Sequence, residues 1–229
     1  MPDASKIQSP VRRVAVWLVG MVGPIAGGKS TISKRLESLG VTRWDADEVA
    51  TEVAARGEVV DEIRSAFGDA ILAADGSIDR RRLATRVFAD GPRGRSDLSK
   101  LEAIIHPRVR RELQGQIADA IDSGATAGVL DVPLLIESDW HRCCDEVWFL
   151  EVSEAVLRSR VRDRGWTWEQ WQQRSDRQLP MDDKKRHATR VVDANLNAER
   201  SKTEMQRWLS ETLDRCSETT MHCRQFCRR

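Results

Sequence analysis

The sequence predicts an α/β protein in which a parallel sheet is flanked by helices and interrupted by two helical insertions. Short runs such as "VAVWLVGMV", "AGVLDVPLLIE" and "DEVWFLEV" are apolar on both faces, which is typical of strands buried in a parallel sheet. Helical stretches follow these runs, so strands and helices alternate along the chain. The 229 residues, 40% of them hydrophobic, suffice for one such domain with insertions.

Each element has a local signal. The first strand, 14–22, leads into a glycine-rich loop and a helix that ends at Gly40. "VTRWDAD" is a short strand ending in acids, followed by a mostly helical segment with breaks at "FGD", "ADGSID" and "ADGPRGR". Pro107 predicts a kink or two helices within 97–121. Beyond the later strands come two short helices, "SEAVLRSRVRDRG" and "TWEQWQQRSDRQL", a weak strand, "ATRVVDA", and a closing amphipathic helix.

These elements divide the chain into a core of three segments, two insertions and two terminal pieces. The core segments carry the strands, whereas the insertions are helical. The polar N-terminus lacks an apolar signal-peptide segment and predicts a disordered lead. The predicted bounds are 13–46, 126–153 and 186–214 for the core, 47–125 and 154–185 for the insertions, 1–12 for the lead and 215–229 for a tail of unknown role.

The composition argues against nucleic-acid and membrane partners. The net charge is +1, and no run of about 18 apolar residues predicts a membrane span. The five cysteines are odd in number and irregular in spacing, so we expect no disulfide framework and a reducing, cytoplasmic setting. Reduced surface thiols are favoured in the tail, and zinc is the alternative. The zinc ligands would be Cys216, His222, Cys223 and Cys227.

The stretch "GPIAGGKST", residues 23–31, fits the phosphate-loop (P-loop) pattern G-x4-G-K-[ST]. Its glycines let backbone amides turn inward around phosphate oxygens, and the helix that starts at Lys29 directs free amides to the same anion. Lys29 is expected to reach the β- and γ-phosphates, and Ser30 to ligate Mg²⁺. Pro24 removes an amide that need not face phosphate, and we expect ordinary backbone angles at Ala26. The predicted fold is therefore a P-loop NTPase-type parallel sheet.

Acidic residues follow two of the predicted strands. Asp45 and Asp47, two apart on a strand, would point to the same side and face the γ-phosphate across the cleft. One would be the base for an acceptor hydroxyl, and the other a water-mediated metal ligand. The alternative is that one of them caps the following helix. Asp131 ends another strand, where an acid can contact the Mg²⁺ shell.

Two further motifs lie between these acids and the basic segment. Pro133 forces the chain out of the sheet, and Glu137 then either lines a pocket or is an ordinary surface acid. His106 precedes Pro107 on the first insertion. It either contacts a substrate or serves as a hydrogen-bonding group at the bend.

The second insertion interleaves arginines with tryptophans. A solvated face packed by tryptophans, a site for single-stranded nucleic acid and a lid that closes over a nucleotide are the three interpretations. The phosphate loop favours the lid, whose arginines would meet the transferring charge. The residues are Arg158, Arg160, Arg162, Arg164, Arg174, Arg177, Trp166, Trp168 and Trp171.

Six motifs occur in one order between residues 14 and 193: "GPIAGGKST", "WDADEVA", "DGSIDRRRLATRVFAD", "LEAIIHPRV", "LDVPLLIES" and "RSDRQLPMDDKKRHA". The combination of "DG-x-[IL]-DR", "HP-x-V" and "D-x-PLL-x-E" is specific. On these motifs the chain resembles the dephospho-coenzyme A kinase family. The resemblance implies ATP- and Mg²⁺-dependent phosphorylation of the ribose 3′-hydroxyl of dephospho-coenzyme A. It also implies a P-loop core with a helical substrate-binding insertion (47–125) and a helical lid (154–185).

The resemblance implies roles for the residues that match the family's motifs. ATP would be held by Gly23, Ala26, Gly27, Gly28, Lys29, Ser30, Thr31 and Arg174, and Mg²⁺ by Ser30 and Asp131. The acceptor pocket would comprise Asp45, Asp47, His106, Pro133, Leu134 and Glu137, and the catalytic residues would be Asp47, Lys29, Arg160 and Arg164. The family loop reads closer to "GGIGSGKS". In its "AD-x-VI-x-N" motif, Thr189 here replaces the acid and Asn195 comes one place late.

Two other functions compete with this interpretation. Another P-loop small-molecule kinase, of the nucleotide or shikimate type, would lack the "HP-x-V" and "D-x-PLL-x-E" pair. A nucleotide-binding regulatory protein without turnover would not need both acids, and a switch GTPase would need "N-K-x-D", which the sequence lacks. We expect a small-molecule partner, dephospho-coenzyme A, no nucleic-acid or membrane partner, and a monomer or weak homo-oligomer.

Overall fold

Five parallel strands form the centre of the protein, in the order β2-β3-β1-β4-β5, within residues 16–195 and 198–218, which the computed structural model describes. β1 and β3 are buried along almost their whole length, as the apolar runs predict. The predicted parallel α/β sheet is confirmed. The strands are β1 (Trp17–Val22), β2 (Thr42–Asp45), β3 (Ala127–Asp131), β4 (Glu146–Glu151) and β5 (Arg190–Asp193).

Helices flank this sheet and form both insertions. α1 follows the phosphate loop, α2–α5 occupy the first insertion, α6–α8 the second, and α9 closes the core. The bounds are α1 (Lys29–Ser38), α2 (Ala46–Ala54), α3 (Gly57–Phe67), α4 (Arg80–Val87), α5 (Pro92–Asp122), α6 (Glu154–Asp163), α7 (Trp168–Ser175), α8 (Met181–Arg186) and α9 (Ala198–Glu218). Among the described residues no helix is both long and apolar enough to cross a membrane.

The first insertion packs onto one face of the sheet through an apolar core. Val59 and Ile63 of α3 and Leu113 of α5 are completely buried in the cluster that also contains residues of β1 and β3. The predicted breaks are observed, since Gly68 ends α3 in a left-handed conformation and Asp79 caps α4. The insertion is thus held rigidly against the strand ends.

α5 is a single helix of 31 residues with Pro107 inside it, which excludes the second of the two predicted alternatives, a kink or two helices. A proline leaves the carbonyl four residues earlier without its amide partner. In the adjoining turn, Arg108 Nη1 donates to the Ile104 carbonyl at 2.6 Å. Ile104 and Val109 are both buried on either side of the proline. Tertiary packing therefore carries the helix through a position where local preference predicts an interruption.

The second insertion contains one helix more than the two that were predicted. Thr167 and Gln170 form a capping box at the start of α7, in which each side chain accepts from the other's backbone amide. α8 was missed because its six residues, "MDDKKR", carry no apolar periodicity. It begins directly after Pro180.

α9 is fastened to the sheet at the end opposite the phosphate loop. Glu146, at the start of β4, accepts from the indole nitrogens of Trp148 (2.7 Å) and Trp208 (3.3 Å) and pairs with Arg190 at 3.2 Å. The predicted lead lies outside the described residues, as do three of the four candidate zinc ligands in the tail. α9 extends past the predicted core boundary at 214 to Glu218.

Candidate active site

The phosphate loop connects β1 to α1 at the carboxyl edge of the sheet. It closes on itself, because the Gly27 amide donates to the Pro24 carbonyl at 2.9 Å. Gly28 precedes α1 with φ +103°, a left-handed conformation that favours glycine. Lys29 Nζ bends over the loop and donates to the carbonyls of Gly23 and Pro24, both at 3.2 Å. The ammonium and the free amides at the start of α1 are thus gathered at one loop, as phosphate binding requires.

Ala26 adopts φ +65°, so the expectation of ordinary backbone angles at this position is wrong. A left-handed alanine costs about 1–2 kcal/mol relative to the right-handed conformation. Its methyl group is buried against Leu157 and Val161 of α6. The second insertion therefore packs on the strained part of the phosphate loop, and this packing offsets part of the cost.

Lys29 is the centre of an electrostatic cluster. Burial, followed by the positive charge of Lys184, accounts for most of the lowering of the pKa of Lys29 from 10.5 to about 8. Arg164 acts in the same direction as Lys184, whereas Asp131 and Glu137 oppose it. These groups come from the sheet and from the second insertion. Charges from both parts of the protein therefore converge at the phosphate loop.

Asp131 lies opposite Asp45 in the register of β3 and β2, so the two predicted acidic strand ends do meet at one edge of the sheet. Its Oδ2 accepts from the hydroxyl of Ser33 at 2.8 Å, and Ser33 is completely buried in α1. Burial raises the pKa of Asp131, an effect that the Ser33 hydrogen bond opposes. Sequence analysis missed Ser33, because a serine within a helix carries no sign of a distant partner.

The prediction that Asp45 and Asp47 both lie on the strand is wrong. β2 ends at Asp45, and Asp47 lies in the first turn of α2. Asp45 Oδ1 accepts from the amides of Asp47 (2.9 Å) and Glu48 (3.1 Å), while Oδ2 pairs with Arg43. The capping alternative is therefore correct for Asp45. Aspartate is among the best N-cap residues, and α2 accordingly begins at the residue after Asp45.

Asp47 is exposed, and among the described residues no hydrogen bond engages its carboxylate. Partial burial of the carboxylate raises the pKa of Asp47, and the negative charges of Asp45 and Asp131 raise the pKa further. A carboxylate that is free of structural bonds and has a raised pKa is suited to accept a proton.

The residues predicted for the acceptor pocket lie on two elements. Pro133 and Leu134 lie two and three residues after the end of β3 and are exposed, Leu134 to 38%. His106 is exposed on α5, in the first insertion. Glu137, by contrast, accepts from the Leu179 amide at 3.0 Å and so connects the core to the second insertion.

Lys184 is a second residue of the site that sequence analysis missed. It lies in α8, is 2% exposed, and donates from Nζ to Gln178 Oε1 at 2.6 Å, with Glu137 Oε1 3.7 Å away. Burial lowers the pKa of Lys184, and Glu137 opposes this effect. Nothing in the run "DDKKRH" distinguishes the buried lysine from its exposed neighbours.

Arg160 is committed to the backbone on two sides. Its Nη1 donates to the Gly27 carbonyl at 2.7 Å and its Nη2 to the Ala194 carbonyl at 2.6 Å. Burial lowers the pKa of Arg160. The side chain thus joins the phosphate loop to the segment after β5.

The other two predicted lid arginines are exposed. Arg164 ends α6, and its charge reaches Lys29. The Arg174 guanidinium lies over the Trp166 ring, 4.3 Å from the centroid. Both cations can therefore approach a nucleotide more readily than Arg160.

Thr189 and Asn195, where the sequence departs from the family pattern, have structural partners. The Thr189 hydroxyl accepts from the Val147 amide at 2.9 Å, next to the start of β5. Asn195 Oδ1 accepts from the Ser153 amide at 2.8 Å and so fixes the start of α6. Both contacts join the edge of the sheet to neighbouring segments.

A phosphate loop between β1 and α1, acids at two neighbouring strand ends and a basic helical insertion together define a P-loop kinase. The dephospho-CoA kinase family model matches residues 17–200. A protein of Rhodopirellula baltica named dephospho-CoA kinase is 42% identical over 178 residues, 78% of this chain and 82% of its own. One of Symbiobacterium thermophilum with the same name is 38% identical, over 82% of this chain and 78% of its own.

Solved structures agree with these relatives. A Thermus thermophilus crystal structure matches with a TM-score of 0.70 at 30% identity, covering 88% of this chain and 98% of its own. A Campylobacter jejuni dephospho-CoA kinase shares the fold, with a TM-score of 0.64 at 22% identity, over 85% of this chain and 96% of its own. The chain belongs to the dephospho-CoA kinase family, whose reaction is the ATP-dependent final step of coenzyme A biosynthesis.

Proposed function

We propose that Asp47, Lys29 and the lid cations of this chain transfer the γ-phosphoryl group of ATP to the ribose 3′-hydroxyl of dephospho-CoA. The observation that carries the proposal is the position of Asp47. It stands at the first turn of α2, near enough to Asp45 and Asp131 for their charges to raise its pKa, with its carboxylate outside the cap that Asp45 makes. Family membership supplies the acceptor, and this geometry supports the choice between the two acids.

ATP would lie with its phosphates on the loop. The free backbone amides of the loop and of the start of α1 would bind the phosphate oxygens. Lys29 would exchange its two carbonyl partners for phosphate oxygens. The exchange favours the ammonium form, because a phosphate adds negative charge beside a lysine whose pKa is lowered.

Ser30 and Asp131 fit the ligand chemistry of Mg²⁺. A hydroxyl and one carboxylate are what this ion takes from a protein when substrate phosphates and waters supply the rest. The described residues contain no cluster of three or more acidic, histidine or cysteine side chains that could enclose a metal by itself. Ser33 holds one oxygen of Asp131 and so orients the carboxylate. When bound, Mg²⁺ would neutralise charge on the β- and γ-phosphates.

The acceptor would enter from the side of the first insertion. Pro133, Leu134 and His106 are exposed around the end of β3 and on α5, and we propose that they line its path. Asp47 would accept a hydrogen bond from the 3′-hydroxyl, orient its oxygen towards the γ-phosphate, and take the proton as the new P–O bond forms. The bond between the γ-phosphorus and the oxygen that bridges it to the β-phosphate would break in the same step, and ADP would leave.

The second insertion would act as the lid. Arg164 and Arg174 would approach the phosphates, and Lys184 would add a third, buried positive charge beside Lys29. Glu137 would hold Leu179 and Lys184 at the hinge, not the substrate. We keep the proposal of a cytoplasmic enzyme that works as a monomer or weak homo-oligomer.

The test is to incubate the protein with ATP, Mg²⁺ and dephospho-CoA and to measure coenzyme A by mass spectrometry. Parallel reactions with shikimate and with nucleoside monophosphates test the rival kinase types. We expect phosphate transfer to dephospho-CoA alone. Turnover of a rival acceptor would refute the proposed substrate, and ATP binding without any product would favour a regulatory protein.

A further inference from the structure

The lid touches the phosphate loop from the outside, through a residue to which the proposed function gives no role. The indole Nε1 of Trp171, on α7, donates to the carbonyl of Ile25 at 2.9 Å. Ile25 lies in the middle of the loop, between Pro24 and Ala26. The bond therefore joins the second insertion to the backbone that would hold the phosphates.

This contact meets the loop at its strained residue. Ala26 follows Ile25 and has φ +65°, a conformation that L-residues other than glycine seldom adopt. Strained backbone persists at functional sites only when its surroundings hold it. Here Leu157 and Val161 pack on the Ala26 methyl group, and Trp171 packs against the same cluster.

Trp171 is itself held in place by its neighbours. Its ring stacks on Trp168 with centroids 4.3 Å apart and an interplanar angle of 17°. The Arg158 guanidinium lies 3.9 Å from the Trp168 centroid and pairs with Glu154 at 2.6 Å. An indole fixed in this way loses little conformational freedom when it binds the loop.

We infer that Trp171 is a positioning residue that holds the phosphate loop in its ATP-binding conformation by donating a hydrogen bond to the Ile25 carbonyl. The inference rests on the proposed function, in that the loop binds ATP. It adds a determinant of nucleotide affinity that lies in the lid and touches neither phosphate nor acceptor. Without the bond the loop populates other conformations, and apparent affinity falls in proportion to the population lost.

Two substitutions at one position separate the hydrogen bond from packing. Trp171→Phe keeps an apolar ring but removes the donor. Trp171→His keeps a ring nitrogen at the place of the indole Nε1 but loses the larger ring. Trp168→Phe is the matched control, because it makes the same change on the same helix, keeps an aromatic ring to stack on Trp171 and leaves the donor of the Ile25 bond in place.

ATP binding is measured by calorimetry without acceptor, and steady-state kinetics give kcat and the KM of each substrate. Trp171→Phe should raise the Kd and KM for ATP about five- to tenfold, the effect of losing one hydrogen bond. The kcat at saturating ATP and the KM for the acceptor should stay within about twofold. Trp171→His should recover part of the affinity, and Trp168→Phe should change it less than twofold. Equal losses in the Phe and His variants would overturn the inference, because they would place the effect in packing.

A double-mutant cycle tests the role of strain. Ala26→Gly lets the loop adopt φ +65° without penalty, so Trp171→Phe should cost less in this background than in the natural chain. Equal costs in both backgrounds would refute a holding role. Thermal unfolding of every variant identifies any that is misfolded. A chain that binds ATP as described but makes no coenzyme A would refute the proposed function and leave this inference standing.

Discussion

Replacing Asp47 with asparagine tests the proposed catalytic base with little disturbance of the fold. Asp45 bonds to the backbone amide of Asp47 and not to its side chain, so the cap remains in Asp47→Asn. Among the described residues no partner loses a hydrogen bond, and the phosphate loop is untouched. Two structural terms oppose each other: the helix N-terminus loses a stabilising negative charge, and Asp45 and Asp131 lose a repelling one.

The expected loss of kcat is about 10²–10⁴-fold, which is the range for a removed general base. This corresponds to about 3–5 kcal/mol of transition-state stabilisation. The Kd for ATP should change less than threefold, because the substitution lies outside the loop. Measurement requires the coenzyme A assay for kcat and calorimetry for ATP. Asp61→Asn, an exposed acid on α3, is the matched control and should keep full activity.

The pH dependence gives a second readout of the same variant. Because the pKa of Asp47 is raised in the folded protein, kcat/KM of the natural chain should decline with acidification sooner than an ordinary aspartate would predict. This acidic limb should disappear in Asp47→Asn. The free energy of unfolding changes with pH in the opposite direction to kcat/KM. A raised pKa in the folded state stabilises the folded protein at low pH, and this contribution is lost as pH rises through the raised pKa. The variant should thus be no less stable at neutral pH, and near-natural kcat or an unchanged acidic limb would refute the assignment.

Three further substitutions test the supporting residues. Ser33→Ala should lower kcat about tenfold and the free energy of unfolding by about 1–2 kcal/mol, because Asp131 loses the hydrogen bond from the Ser33 hydroxyl. The control is Ser38→Ala, since Ser38 is exposed on the same helix. Lys184→Met should lower kcat more than it changes the KM for ATP, and Lys184→Arg should restore part of the lost kcat. The control, Lys185→Met, should have no effect on kcat. Glu146→Gln should reduce the free energy of unfolding by about 2 kcal/mol in urea titrations while leaving kcat unchanged, since Glu146 lies at the opposite end of the sheet.

The parts of the fold that follow from local signals could be predicted from the sequence. Two-faced apolar runs identified the strands, and glycine, proline and capping residues identified most helix boundaries. Prediction failed where packing outweighed a local signal and where no local signal existed. Pro107 is overridden by packing around α5, and the short helix α8 has no pattern of its own. Both depend on contacts between segments that are distant in the sequence.

The residues of the candidate site also fall into two groups, those that a local motif identifies and those that only contacts with distant segments identify. The loop and the strand-end acids were visible as motifs, because each needs fixed residue types at fixed spacing. Ser33 and Lys184 were not, because what distinguishes them is burial and a partner supplied by another segment. The two acids of "WDAD" became distinguishable only when Asp45 was found to use both oxygens, one for the cap and one for Arg43.

The phosphate loop itself shows how a departure from the family pattern changes the physical account. Glycine at position 26 would adopt the left-handed conformation at no steric cost, whereas alanine requires an outside contribution. The structure supplies it from the second insertion, through the buried methyl group and the Trp171 bond to Ile25. This contact is the basis for our proposal that residues of the second insertion contribute to nucleotide affinity. Removing the Trp171 hydrogen bond should change ATP binding although Trp171 touches no phosphate, which a loop that stands alone would not allow.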